Sequence, residues 1–288
     1  MTPFLEILID RVKHEYATPA PPHRPCEIIR PERDAIEREC TTQNNIDTAN
    51  MRLFIYKRAF VEGKAPVLCR RSAHGTLIVA LESSAQEADI PWETWFRILR
   101  LFHARKHITA LILARTTKRI APRPGLPIEP VHINGGSTYS CSPETICVYR
   151  AEDATRVLIH ELFHAMCSDN HADGVDWLEA KTEAWAEVTY SIVLSKGDRD
   201  TSERALSRQA HWIAVQNDGI RTRHMRTHKS SEFPWRYTIG KELVFHSITH
   251  ITEPSLTSRE WNGSLRLTPP PTATQKREHG VAPSSTML

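Results

Sequence analysis

Residues 157 to 166, "VLIHELFHAM", hold the side chains best suited to do chemistry: His160 and His164 four residues apart, with Glu161 directly after the first. On a helix, positions i and i+4 share a face, so both imidazoles can aim at one ion while Glu161, about 100 degrees around, reaches a water beside it. The spacing alone carries little, because His103/His107, His224/His228 and His246/His250 repeat it among the fifteen histidines. The interposed glutamate and the apolar context set this pair apart. Val157, Leu158, Leu162, Phe163 and Met166 predict a mostly buried helix running to about Cys167, with Asp153 available as its N-cap. A buried helix carrying two histidines and a glutamate is costly unless those groups find partners.

A metal site of this kind needs a third protein ligand. The segment "DWLEAKTEAWAEVTYSIVLSKG" offers Glu179, Glu183 and Glu187 at successive i, i+4 positions, a single carboxylate stripe. Like charges at that spacing repel, and Lys181 lies off the stripe, so something positive is expected opposite it. Trp177, Ala184, Trp185, Val188 and Ile192 suit packing into a core, Asp173 or Asp176 can start this helix, and Gly197 can end it.

With these residues in view, the chain resembles the gluzincin branch of the zincin metallopeptidases, in which H-E-x-x-H is followed by a glutamate on a second helix. The likeness covers residues 145 to 195. The combination of "INGGSTYS", "ICVYRAEDATRVLIHELFHAM" and "KTEAWAE" also resembles metallopeptidases inferred in large DNA viruses. The resemblance implies that His160, His164 and Glu183 bind one Zn2+, that Glu161 is the general base, and that Glu187 orients a ligand histidine. It implies a peptide or protein substrate and a zincin-like α+β fold: a small mixed sheet, an active-site helix, a glutamate helix and a mostly helical C-terminal part. The metzincin pattern fits less well, since Cys167 stands at its glycine position and Asn170 at its third-ligand position, with His171 one residue further on. A donor for the tetrahedral oxyanion is also expected, with Tyr190, His211, His224, His228 and Tyr237 as candidates. An extended substrate is expected along a sheet edge near Gly135 to Tyr139.

Two other readings compete. Cys141 and Cys147 precede the histidines to give C-x5-C-x12-H-x3-H, close to the form of a nucleic-acid-binding zinc finger, although the cysteine gap is too long and the helix too apolar. Alternatively, a zincin-like scaffold keeps the metal but serves as an inactive interaction protein. The basic stretch "RTRHMRTHK" at 221 to 229 lacks interleaved aromatic residues, so nucleic acid is not the expected partner.

The rest of the chain must position these groups. Its 288 residues are enough to bury a large core, and a net charge of +3 with 25% charged residues demands no polyanionic partner. The N-terminus lacks the uninterrupted apolar core of a signal peptide and no run approaches 18 apolar residues, so an intracellular, cytoplasmic location without membrane association is expected. Six scattered cysteines are expected to be mostly reduced thiols. Residues 1–50 are expected to be an extension with a Pro-rich linker, "TPAPPHRP", after a short helix; residues 51–251 the catalytic domain; and residues 252–288 a disordered tail. Within the domain, "MRLFIYKRAF", "ITALILA" and "TICVYR" read as strands, "IPWETWFRILRLFHARK" as a helix, "RIAPRPGLPIEP" as a loop and "NGGS" as a turn.

Overall fold

Largely apolar runs at 75–81 and 108–114 can only be strands if both of their faces are covered, which calls for helices on either side of a sheet. The computed structural model describes residues 2–102, 107–144, 146–251 and 261–270, and it has that arrangement. In chain order the elements are α1 (Pro3–Ala17), β1 (Arg24–Pro25), α2 (Arg30–Thr41), α3 (Met51–Tyr56), β2 (Val67–Arg71), β3 (Gly75–Leu81), α4 (Trp92–Phe102), β4 (Ile108–Ala114), α5 (Pro130–Ile133), β5 (Gly136–Ser137), β6 (Ile146–Val148), α6 (Ala154–Ala165), α7 (Val175–Leu194), α8 (Arg199–His224) and α9 (Ile239–Thr249). The fold is mixed α+β. Six strands lie in the order β1-β2-β3-β4-β6-β5, with β3, β4 and β6 parallel and the outer pairings antiparallel.

Period-two alternation divides the core. Leu77, Val79, Ile112 and Val148 face α1, α4, α6 and α7, whereas Ile78, Ala80, Leu111, Leu113 and Cys147 face α2 and α3. Helices α4 and α6 and strands β4 and β6 lie where the sequence predicts them. Among the described residues no helix is long and apolar enough to cross a membrane.

Several expectations change. "MRLFIYKRAF" is α3 followed by a π-helical turn over Lys57–Val61, not a strand, because Met51, Ile55 and Ala59 recur every four residues and cover the second face of the sheet. "NGGS" is not only a turn: Gly136 and Ser137 pair with Val148 and Cys147 as the edge strand β5. Residues 1–50, expected as an extension, supply Leu5, Ile9 and Val12 to the main core and Ile36 and Cys40 to the second. Residues 261–270, placed by composition in a disordered tail, pack on α8: Trp261, Leu265 and Leu267 are buried, and Trp212 and Gln209 donate to the carbonyls of Arg266 and Leu267. Residues 252–260 and 271–288 lie outside the described residues.

Asp153 starts α6 but does not cap it with its side chain. Its carboxylate instead accepts from Arg266, from the Leu267 N–H and from the Thr268 hydroxyl at 2.7–2.9 Å, tying residues 266–268 to the start of the metal-motif helix. Burial works to raise its pKa, but Arg266, Arg119, Thr268 and the Leu267 amide outweigh it and hold the carboxyl below its ordinary value. A depressed folded pKa means that this stabilisation is present above the unfolded value of about 4 and is lost as pH falls through the folded one. Asp153→Asn tolerates the left-handed backbone there (φ 60°) yet removes the charge. It is expected to cost about 3 kcal/mol at neutral pH, with the gap between variant and wild type closing under acid. Urea titrations at pH 7 and near pH 3 measure both; equal gaps at the two pH values would contradict this account.

Candidate metal centre

Helix α6 carries Arg156, His160 and His164 on one face at intervals of four residues, and α7 carries Glu179, Glu183 and Glu187 in the same way. The helices pack antiparallel in register along these stripes. His164 and His160 meet Glu179, His160 also meets Glu183, and Arg156 meets Glu183 and Glu187. Lys241 on α9 closes the row with its Nζ 2.9 Å from Glu187. The positive charge expected opposite the stripe is thus in large part Arg156 and Lys241, both buried.

The two histidines converge on one point together with a carboxylate. His164 Nδ1 is 2.8 Å from Asp169 and His160 Nδ1 is 3.2 Å from Glu183, which leaves both Nε2 atoms turned toward one point, 3.0 Å apart. A carboxylate on the distal nitrogen is the usual way of fixing a ligand histidine's tautomer. Glu179 Oε2 completes the group at 3.6 Å from the Nε2 of His160 and 3.9 Å from that of His164. Tetrahedral coordination with bonds of about 2.0–2.1 Å puts ligand atoms roughly 3.3 Å apart, so these separations suit a small divalent ion. Burial is the main force pushing the His160 pKa down, to about 3, with His164 and Arg156 adding to it and Glu183 opposing, so this ring stays neutral. Two Nε2 atoms 3.0 Å apart and facing each other, with the Glu179 carboxylate alongside, form an arrangement that a cation between them would stabilise. His160, His164 and Glu179 can therefore hold a metal ion.

Glu183, expected as the third ligand, is engaged elsewhere: Arg156 donates to its carboxylate, and although burial favours the neutral acid, Arg156, His160 and Lys241 pull its pKa down to about 2. It also lies 3.2 Å from His160 Nδ1, without a hydrogen bond to it. Glu187, expected to orient a histidine, pairs with Lys241 and Arg156. Helix register is the reason: the carboxylates repeat every turn, and where α6 crosses α7 decides which one faces the Nε2 atoms. Arg156 in phase with both histidines was the available signal, since an Arg-His-His stripe against a Glu-Glu-Glu stripe has one charge-matched antiparallel register. Asp169, two residues beyond Cys167, is the orienting group that sequence reasoning missed.

Glu161 lies on the neighbouring face of α6, fully buried beneath β5. A Cβ at Gly136 would collide with its carboxylate and with Val157, so only glycine lets the edge strand lie this close. Burial, then Glu179 and Glu183, raise the Glu161 pKa well above the ordinary carboxylate range. The three motif residues and Glu179 line a cavity of about 280 Å³ whose other walls include Asn134, Ser137, Thr138, Phe233, Arg236 and Tyr237. Of the candidate oxyanion donors, Tyr237 alone lines this cavity, with its hydroxyl 3.3 Å from Asn134 Oδ1. Tyr190 lines a separate groove with Leu194 and Arg208, His211 and His228 lie exposed on the surface, and His224 Nδ1 sits 2.9 Å from the Leu126 carbonyl.

The cysteines rule out a finger-like ligand set. Cys147 is buried on β6 against the second core, and Cys141 forms a disulfide with Cys167, contrary to the expectation of reduced thiols for that pair; Cys26, Cys40, Cys69 and Cys147 are free. His171 sits exposed in a short 3-10 turn outside the trio that can hold a metal ion. The disulfide staples the loop after β5 to the end of α6, where the Cys141 N–H donates to the His164 carbonyl and Ser140 donates to Asp169. Reduction removes a 26-residue closure and is expected to cost about 3 kcal/mol. Metal affinity should fall with it, because Asp169 loses its support. Thermal melts and metal titrations of Cys141→Ser/Cys167→Ser measure the two effects; a variant unchanged in both would show the bridge to be idle.

Comparisons with protein-family models, with curated proteins and with solved structures find no match, so the geometry of these side chains carries the functional reading.

Proposed function

We propose that this protein is a zinc-dependent metallopeptidase with a zincin-like catalytic domain, in which His160, His164 and Glu179 hold the zinc ion and Glu161 is the general base. The observation that carries this reading is the convergence of two histidine Nε2 atoms and one carboxylate beside a second, buried carboxylate whose pKa is raised. Zinc in such a site lowers the pKa of a water and polarises the scissile carbonyl. Glu161 takes a proton from the attacking water and delivers it to the leaving amine, a role that suits a carboxyl whose burial raises its pKa above the ordinary carboxylate range. Tyr237 lines the same cavity, and its hydroxyl, which donates to Asn134 Oδ1, would have to turn from that amide to serve as the oxyanion donor. Strand β5 stands at the sheet edge directly over Glu161, which suits a peptide added in extended form alongside it.

The test is hydrolysis of a library of internally quenched peptides by the purified protein. Cleavage is expected to disappear with a chelator and return on addition of Zn2+. Stoichiometric metal without cleavage of any peptide would favour the inactive-scaffold reading, and a protein that takes up no metal would end both.

A further inference from the structure

Beyond the metal trio and Glu161, the cleft is lined by three guanidinium groups that peptide hydrolysis as described does not use: Arg236, which is partly exposed and donates to Asp176, and the deeply buried Arg119 and Arg156. Arg119 and Arg156 are each 1% exposed, and Arg119 Nη2 and Arg156 Nε have no hydrogen-bond partner among the described residues. A buried charged donor left without an acceptor costs about 1–3 kcal/mol or more, so an orphan donor on a cavity wall marks a place where an acceptor is stabilised. Arg119, Arg156 and Arg236, whose Nε is likewise unpartnered, all line one cavity, and of the three Arg119 and Arg156 are the fully buried ones.

Their other contacts hold them rigidly. Arg119 donates through Nε to the Ile133 carbonyl at 2.6 Å and through Nη1 to the Glu152 carbonyl at 2.6 Å, which leaves Nη2 against Gly135. The nearest carboxylates, Glu152 and Asp153, stand off at 3.8 and 3.6 Å, and Asp153 is already engaged by Arg266, Leu267 and Thr268. Arg156 spends Nη2 on Glu183. Gly135 and Gly136 serve both sites: a side chain on the first would strike Arg119 Nη2, and one on the second would strike Glu161. Because adjacent Cα atoms are about 3.8 Å apart, Arg119 Nη2 and the Glu161 carboxylate lie within about 11 Å of each other.

We propose that this buried end of the cleft binds a carboxylate of the substrate, with Arg119 as the principal donor and Arg156 lining the same cavity, so that the chain is cleaved close to that carboxylate. The inference rests on the metallopeptidase reading and gives it a substrate class. Guanidinium groups match carboxylates in shape and in charge. At about 3.5 Å per residue, the separation leaves room for one or two residues between the scissile carbonyl and the carboxylate. A C-terminal carboxylate makes the enzyme an exopeptidase that removes one or two residues; an aspartate or glutamate side chain makes it an acid-directed endopeptidase.

The zinc-loaded protein should be given three otherwise identical peptides: a free C-terminal acid, its amide, and an amide carrying one aspartate near its C-terminus. The acid is expected to be cleaved at least tenfold faster in kcat/KM than the plain amide, one or two residues from its end. The same advantage for the aspartate peptide assigns the carboxylate to a side chain, and equal rates for all three overturn the proposal. Calorimetric binding of a dipeptide acid and its amide to the same protein decides the matter without turnover: tighter binding of the acid, lost in Arg119→Met and partly kept in Arg119→Lys, supports the proposal, and equal affinities refute it. Failure to cleave any peptide, with the acid still bound tenfold more tightly, would count against the peptidase reading alone. The comparison within the wild-type protein stands even where Arg119→Met does not fold.

Discussion

Replacing Glu161 with glutamine is expected to lower kcat for peptide hydrolysis by about 10³-fold while zinc stays bound, since general acid–base catalysis contributes on the order of 10²–10⁴. The substitution is nearly isosteric, and Glu161 belongs to neither the metal trio nor the ion pairs of the stripe, so the fold has little reason to respond. Removing a buried carboxylate that lies near Glu179 and Glu183, both of which raise its pKa, should leave stability unchanged or slightly higher. Metal analysis, a thermal melt and steady-state kinetics on one preparation separate the effects. A variant that keeps a tenth of the wild-type rate would remove Glu161 from the role of base, whatever the metal does.

Glu179→Ala and Glu183→Ala should fail in different ways. Glu179 contributes its oxygen to the convergence of Nε2 atoms and makes no close pair with a cation of the stripe, so its loss should strip zinc under dialysis against a weak chelator while the protein stays folded. Glu183 sits between Arg156 and His160 Nδ1. Its removal leaves a fully buried guanidinium short of its partner, which costs about 3–5 kcal/mol, and loosens His160, which costs roughly 10–100-fold in metal affinity. The expected pattern is a stable apo-protein in the first case and a destabilised, weakly metallated one in the second. Zinc lost from Glu183→Ala at unchanged melting temperature, with zinc retained by Glu179→Ala, would return Glu183 to the ligand position that the family resemblance implies.

Much of the site was legible because helical periodicity is a local property. Four-residue spacing puts His160 and His164 on one face of α6 whatever surrounds it, the same spacing lines up Glu179, Glu183 and Glu187, and the apolar run at 108–114 reads as a buried strand, whereas β3 at 75–81 was not read from the sequence. What local pattern could not settle was which carboxylate faces the imidazoles. A shift of one turn, about 5.4 Å along α7, exchanges Glu179 for Glu183, and that shift is set by Arg156, Glu187 and Lys241 finding one another across three helices. For "MRLFIYKRAF" the apolar residues suit a strand as well as a helix, and the exposed second face of the sheet decided in favour of the helix.

Contacts distant in sequence decided the remainder. Residues 261–270 look like a tail by composition, yet Arg266, Leu267 and Thr268 satisfy a carboxylate more than a hundred positions earlier, and Trp261 and Leu265 fill space left over α8. The pairing of Cys141 with Cys167 depends on the loop after β5 returning to the end of α6, a path set by the β5–β6 pairing and the Cys141–His164 hydrogen bond. The sequence by itself determined the helix that carries His160, Glu161 and His164 and the strands β4 and β6 behind it, because short-range periodicity and burial suffice for these. Only the tertiary structure chose Glu179 over Glu183, placed Tyr237 rather than Tyr190 in the cleft, and left Arg119 with a donor to spare, because each choice depends on where helices and loops far apart in the chain come to rest against one another.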